Sequence, residues 1–299
     1  MNFMNSIKKK IKSDAAIDLI IHIILILIAV LCLYPIWFVL IASVSNPSAI
    51  ADGEVLLLPK ELTLEAYKAL KKYPEIFLGY RNSIFYLFAG TGLALFGTLP
   101  AGYALSRKDL VGRRVWNFLI VFSMYFGGGM IPLYLLHKSI GWLDTIWVIL
   151  IPGIFVAYYI ILARSSFESM PEAMREAAFM DGADDFRYFL QFVIPLSKAM
   201  IACIFLFSAL SWWNQYMRFI LYIDNPDLQS LQVIVRQITA KLSSALSGGA
   251  SIDESLAAEK TKELLKYSVV VITALPFCML YPFIQKYFNT GVMIGSVKE

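Results

Sequence analysis

Six long apolar runs leave this chain few ways to fold. Residues 19–44, 82–106, 115–136, 145–163, 199–217 and 267–285 each approach the ~20 residues that a helix needs to cross the hydrocarbon core of a bilayer. The first holds no formal charge. Charges border the others: Arg81 and Arg107, Arg113 and Arg114, Asp144 and Arg164, Lys198 and Arg218, Lys266 and Lys286. Barrel-type alternation is absent, and lipid offers no partner to a free backbone group, so all six are expected as helices. The fold class is an all-α polytopic membrane protein with six transmembrane helices. Starting the fifth span at Pro195 gives spans of about 19–44, 82–106, 115–136, 145–163, 195–221 and 267–287. They fill a transmembrane domain of 19–289, between tails of 1–18 and 290–299.

Composition agrees. Hydrophobic residues make up 59% of the chain and charged residues 16%, with a mean hydropathy of +0.66. A soluble domain cannot hide that much apolar surface, so a lipid bilayer is the expected surrounding. The net charge of +4 is too small to argue for nucleic acid, and none is expected as a partner. Cys32, Cys203 and Cys278 lie in apolar runs without metal-type spacing and read as small buried hydrophobes. The basic stretch Lys8, Lys9, Lys10, Lys12 precedes an apolar run too long for a signal-peptide core, which reads as a retained first span.

An even number of spans puts both termini on one side. The tight basic clusters, Lys8 to Lys12 and Arg107, Lys108, Arg113, Arg114, fall on that side and mark it as cytoplasmic. The outer face then carries loops of roughly 46–80 and 223–265, the second holding "SGGAS" and "IDESLAAEKTKELLK".

Several spans are more than anchors. The second holds Ala89, Gly90, Gly92, Gly97, Ala101 and Gly102, small residues that let helices approach closely. Pro35, Pro100, Pro132, Pro152 and Pro276 mark kinks or breaks. The segment "FGGGMIP" at 126–132 has two readings: tight packing, or a broken segment lining a cavity. It is no phosphate loop, because no Lys-Ser or Lys-Thr follows at the needed spacing. The chain has no nucleotide-binding motif and no zinc-type His pair, and His22 reads as a hydrogen-bonded packing residue. No Asp, Glu, Lys or Arg sits near the middle of a span, as ion-coupled transport usually requires. Lys198 and Arg218 lie near span ends, where they can snorkel. Uphill transport by this chain would need energy from outside the membrane.

Residues 176–195, "EAAFMDGADDFRYFLQFVIP", are polar where their neighbours are apolar. Ser169 followed by Glu172 fits a capping box, with Pro171 suited to a first helical turn. Ala173, Ala177 and Ala178 give a short helix a flat, small face. Gly182 permits a sharp turn, and Asp184 or Asp185 can cap a second helix running into the fifth span through Pro195. The expectation for 169–195 is a helix–turn–helix knob that fits a groove on another protein. A helical linker lying on the membrane would favour basic residues on its polar face, and this one is mostly acidic.

These residues resemble the EAA signature of binding-protein-dependent ABC importer permeases. Glu176, Ala177, Ala178, Gly182 and Pro195 match it, while Phe192 and Ile194 stand where Ile and Leu are usual. "LTLEAYKAL", "AGYALSRKDLVGRR", "GGGMIPLYLL", "WNQY" and "PFIQKYFNTGVMIGSVKE" extend the likeness to the carbohydrate-uptake permeases of the maltose type, close to the polysaccharide and oligosaccharide group. The resemblance implies the type I importer permease fold and the transport of a sugar, with an oligosaccharide as the expected substrate class. It implies a second permease subunit in a heterodimer, two ATP-binding subunits and an extracytoplasmic solute-binding protein. It makes the knob a cytoplasmic coupling helix docked on the ATPase, with Glu176, Ala177, Ala178, Asp181, Gly182 and Pro195 as coupling residues. It implies no cofactor on this chain and ATP used by the partner subunits. Transport would proceed by alternating access.

"SWWNQYMRF" at 211–219 brings aromatic and amide side chains together, a mixture that suits sugars. Trp212, Asn214 and Tyr216 are the candidate path residues. An interfacial aromatic belt is the competing reading. On a continuous helix Trp212 and Tyr216 share a face, with Trp213 turned toward lipid or a neighbouring helix. Rival functions are import of another solute such as glycerol phosphate, ATP-independent secondary transport, and a membrane-embedded enzyme. The last lacks a convergent acid, base or metal set.

Overall fold

The structure is a computed structural model and describes residues 2–71, 73–247, 265–276 and 278–279. The expected "SGGAS" segment, most of the amphipathic stretch after it, the end of the sixth span and the 290–299 tail lie outside the described residues. Every regular element among the described residues is helical. The chain divides into two compact units, residues 1–73 with 239–272, and residues 74–238 with 273–299.

In the first unit, α1 (Asn2–Ala42) runs unbroken through Pro35 and through the expected boundary between tail and span. Residues 17–37 are all exposed, as befits a helix whose surroundings are lipid or another subunit rather than its own chain. Only its C-terminal end finds a core, where Ile41 packs with Ala49 and Val55. Here α2 (Pro47–Ala51) starts under an Asn46 cap, and Tyr67 on α3 (Glu65–Leu70) donates to Ser43 Oγ at 2.9 Å.

The second unit is organised by α4 (Glu75–Ser106), two turns longer than the apolar run suggested. Its small residues sit where neighbours come closest. A Cβ on Gly102 would lie 2.7 Å from Ala163 Cβ, and one on Gly97 would lie 2.7 Å from the Ile154 carbonyl oxygen. One on Gly79 would lie 2.9 Å from Leu231 Cα. Gly92 faces open space. Close backbone approach is the packing device available between membrane helices, because lipid tails are as apolar as leucine.

The third expected span is broken. α5 (Arg113–Tyr125) and α6 (Met130–Ser139) meet at 109°. An added Cβ at Gly127 or Gly128 would meet nothing within 4 Å, so the break, and not tight packing, explains this glycine run. The fourth span divides into α7 (Ile146–Leu150), a 3-10 turn at Ile151–Gly153 and α8 (Ala157–Glu168). Pro152 falls in that turn, since it cannot continue the hydrogen-bond ladder. After α8 come α9 (Glu172–Met180), α10 (Asp185–Tyr188), a π-helical stretch at Phe189–Val193 and α11 (Ile194–Leu196). The fifth span then turns by 80° into α12 (Lys198–Trp213). It breaks at 214–216 before α13 (Met217–Tyr222), and α14 (Leu231–Ser247) follows.

Among the described residues three helices are long and apolar enough to cross a membrane, or up to five if each bent pair is one span. Leu265–Pro276 is a shorter apolar helix at the start of the sixth expected span. Cys203 is half-buried, but Cys32 and Cys278 are exposed, because apolar residues here face outward as often as inward.

Candidate functional site

The segment 169–195 forms a two-helix knob at the C-terminal end of α4. Its entry differs from the expected capping box. Ser169 ends α8, donating to the Ser166 carbonyl at 2.7 Å, and α9 begins only at Glu172 with Pro171 in the capping position, so Ser169 lies two residues too early to cap it. The exit carries the turn. Gly182 has φ +82°, its N–H donates to the Phe179 carbonyl, and the N–H of Ala183 reaches the Ala178 carbonyl at 3.0 Å. This is a Schellman ending, with glycine in the left-handed position. Asp184, rather than Asp185, caps α10 by accepting from the Arg187 N–H at 2.7 Å.

The structure places the expected coupling residues in two groups. Glu176, Ala177, Asp181 and Gly182 are exposed, as is Pro195 beside the 80° turn. Ala178 is buried in the chain's own core with Tyr103, Phe167, Tyr188, Phe189 and Val193, so it seats the knob and offers no surface to a partner. The outward surface is also less small and flat than the alanines suggested, since Met180 is 88% and Phe186 70% exposed.

An ionic clasp holds the knob to the end of α4. Arg175 pairs with Asp109 at 3.3 Å and Asp185 at 3.1 Å, and its guanidinium lies 4.5 Å from the Phe179 ring centre. Asp185 also accepts from the Tyr103 hydroxyl at 3.0 Å. Lys108 meets Glu172 at 2.7 Å, and Arg113 meets Glu168. Tyr103, Lys108, Arg113, Glu168, Glu172 and Arg175 line a cavity of about 170 Å³ together with Arg107 and Tyr188. The basic cluster that marked the membrane side thus has a second use as the counter-charge of the acidic knob. Sequence reasoning missed Arg175, Asp109 and Tyr103. The one available signal was an arginine, Arg175, inside a mostly acidic segment.

The clasp sets a pH dependence. Burial disfavours the Arg175 charge, but the hydrogen bond and field of Asp185, with Asp109 behind it, outweigh this and raise its pKa. Its own backbone N–H and the Arg175 charge lower the pKa of Asp109, and the hydrogen bond from Lys108 lowers that of Glu172. Carboxylates with depressed pKa contribute stability above the ordinary carboxylate range of about 4, and lose it as pH falls through the folded value. Arg175→Ala is expected to loosen the knob by on the order of 1 kcal/mol, because both acidic partners are more than half exposed. The knob should then be cut by protease faster than in the wild type at pH 7, with the difference shrinking toward pH 3. Equal cleavage at pH 7 would show that the clasp contributes nothing.

The second candidate region lies at the other end of α4. Asn82 Nδ2 donates to the Asp227 and Gln229 carbonyls at 2.7 and 2.9 Å, the Tyr86 hydroxyl donates to Leu228, and Ser83 Oγ accepts from the Leu231 N–H. These bonds fix the start of α14. From Gly79 to Tyr103, α4 covers about 36 Å at 1.5 Å per residue, against a hydrocarbon core of about 30 Å. The knob and the start of α14 are therefore a membrane thickness apart along one helix.

Here the expected path residues separate. The helix ends at Trp213, so Trp212 and Tyr216 do not share a helical face. Trp212 is buried at 7% exposure, with its indole wedged between Gly90 and Gly153. Within this chain it occupies a packing position, where the sequence had suggested an open one. Trp213 is buried too, donating from Nε1 to the Thr273 carbonyl at 3.0 Å, so it faces a neighbouring segment and not lipid. Asn214 is exposed, with its amide donating to the Leu210 carbonyl, and Tyr216 is half-buried beneath the Arg236 guanidinium at 5.3 Å.

Broken apolar helices around a glycine-seamed spine, with a capped and clasped polar projection at one end, define a multi-pass permease of the type I importer fold. The chain belongs to the family described as the binding-protein-dependent transport system inner membrane component, whose model matches residues 9–294. It is 35% identical over 281 residues to the polygalacturonan/rhamnogalacturonan transport system permease protein YtcP of Bacillus subtilis (strain 168), covering 94% of this chain and 98% of that one. It is 33% identical to protein LplC of the same organism, covering 91% of each. Among solved structures it is similar to a chain of a bacterial ABC transporter involved in the import of the acidic polysaccharide alginate. The TM-score is 0.81 at 33% identity, covering 92% of this chain and 98% of that chain.

Proposed function

We propose that this chain is a permease subunit of an ATP-driven importer, and that its cargo is an oligosaccharide of the pectin or alginate type. The family membership and the named cargo of its relatives support the reading. The observation that carries the coupling role is the knob: a Schellman-ended pair of helices, clasped to the end of α4, with apolar side chains turned outward. A projection fixed this firmly to a membrane helix transmits displacement instead of absorbing it. Glu176, Ala177, Asp181, Met180 and Phe186 form its contact surface toward an ATPase. Ala178 and Pro195 set its seating and its angle to α12. A second permease completes the path, two ATP-binding subunits grip the knobs on the cytoplasmic side, and an extracytoplasmic binding protein delivers the sugar. Asn214 and Tyr216 border the path.

The chain carries no phosphate-binding loop, so ATP is bound and hydrolysed by its partners. The isolated subunit is expected to show no saturable ATP binding in a nucleotide titration. The assembled complex in liposomes should take up a galacturonate or alginate oligosaccharide only with internal ATP and its binding protein. Uptake by this chain alone, without ATP, would favour a secondary transporter and overturn the proposal.

A further inference from the structure

We infer that Tyr216 and Arg236 form a recognition pair for the carboxylate of an acidic sugar at the mouth of the path. This rests on the oligosaccharide reading and names the chemical class of its substrate. The break at 214–216 is the first observation. Irregular backbone at the end of an apolar helix is tolerated where it meets protein or a water-filled cavity, not lipid. The break is partly satisfied from within, the Gln215 carbonyl accepting from the Ser230 hydroxyl at 3.4 Å while Asn214 stays exposed.

The arginines give the second. Near the knob Arg107, Arg113, Arg164 and Arg175 each meet a carboxylate, while Arg187 pairs with the Gln191 amide and Arg114 meets none among the described residues. At the other end of α4, Arg81, Arg218 and Arg236 meet none among the described residues. Asp144 at that end is already engaged, accepting from the N–H groups of Asp224 and Asn225 at 3.0 and 2.8 Å. Arg236 is exposed on α14, whose buried face of Leu231, Val233, Ile234 and Ile238 fixes the direction of its polar face.

The geometry of the pair is the third. The Arg236 guanidinium lies over the Tyr216 ring, 5.3 Å from its centre. That contact orients a planar fork whose N–H groups remain open to a ligand, and a guanidinium fork matches the two oxygens of a carboxylate. The phenol edge and the neighbouring amides of Asn214 and Gln215 suit ring hydroxyls. A uronic-acid residue presents one carboxylate beside several hydroxyls, which is the complement of this set. A neutral hexose would leave the guanidinium without its partner.

The test uses the assembled transporter, with its partner permease, ATPases and binding protein, in liposomes. Uptake of trigalacturonate is compared with uptake of its neutral trimethyl ester, for the wild type, Arg236→Gln and Arg236→Lys. Assembly is checked by co-purification. Loss of a charge-assisted pair should lower trigalacturonate uptake by Arg236→Gln about tenfold. Ester uptake should stay near the wild-type value, and Arg236→Lys should recover part of the loss. Equal loss for both sugars, or loss for neither, overturns the inference. If the wild type takes only the acid, the lysine variant decides: recovery supports the pair and no recovery rejects it. A wild-type complex that takes neither sugar would instead refute the proposed oligosaccharide function, and this inference with it.

Discussion

Gly90→Val is expected to abolish uptake and to leave little correctly assembled protein. A Cβ at Gly90 would lie 2.1 Å from Trp212 Cε2 and 2.4 Å from Cδ2, inside any real contact distance. The indole has nowhere to go, because a Cβ on its other side at Gly153 would lie 2.4 Å from Cζ2. Overpacking of a fitted core typically costs 1–3 kcal/mol and occasionally more, and here a rigid ring is held between two backbones. The converse change, Trp212→Ala, opens a void at the same place and should cost about 3–5 kcal/mol. Both variants should therefore fail in thermal stability and in co-purification with partner subunits, whatever sugar is offered. Gly90→Ala combined with Trp212→Leu should recover part of the loss, since the smaller side chain vacates the space the methyl needs. A Gly90→Val protein with wild-type melting temperature and uptake would show that the α4–α12 seam is not as drawn. A Trp212→Ala protein that assembles normally but loses sugar uptake would restore Trp212 to the path.

Substitution at Gly182 should separate folding from coupling. Open space surrounds this glycine, with nothing within 4 Å of an added Cβ, so the penalty comes from φ +82° alone. A left-handed conformation costs an ordinary residue roughly 1–2 kcal/mol, with Asn and Asp more tolerant. The expected order of damage is Gly182→Asn, then Gly182→Asp, then Gly182→Val. Asp adds a negative charge at the C-terminus of α9, where the helix dipole opposes it. The strain stays in the turn, while Ala178, Tyr188 and Phe189 keep the knob's inner face seated. Membrane insertion and pairing with the second permease should persist, while ATPase co-purification and uptake fall. Normal ATPase binding and uptake in Gly182→Val would remove the knob from the coupling role.

How much of this was legible in advance follows from the range of each interaction. The apolar runs announced membrane helices, because hydrocarbon solvation is read residue by residue and needs no partner. The Gly182 turn, and a cap at Asp184 or Asp185, were legible for the same reason: both are settled within four or five residues of chain. The capping box failed at that same range, because Pro171 took the capping position and Ser169 stayed with the end of α8.

Interactions across the chain were not legible. Asn82 and Ser83 fix a segment nearly 150 residues away, and nothing in "RNSIFY" states what they will hold. Arg175 of the knob could be noticed, but its partners Asp109 and Asp185 lie outside its own helix. Trp212 shows the limit most clearly. Its type and its neighbours Asn214 and Tyr216 fit a sugar path as well as they fit an interfacial belt. Only the approach of Gly90 from α4 and Gly153 from the fourth span makes it a packing wedge.

The sequence by itself determined that the chain is a multi-pass membrane protein, where its long apolar runs lie, where the polar projection interrupts them and how that projection turns. Its motif also carried the likeness to importer permeases. Tertiary structure decided where spans break, which glycines are seams and which are hinges, and whether a tryptophan faces a path or a core. It also decided which arginines are neutralised and which stand open. The division has a physical cause. Burial in lipid and backbone turning are local properties of the chain, whereas a close helix contact or an ion pair exists only once distant segments share the same few ångströms.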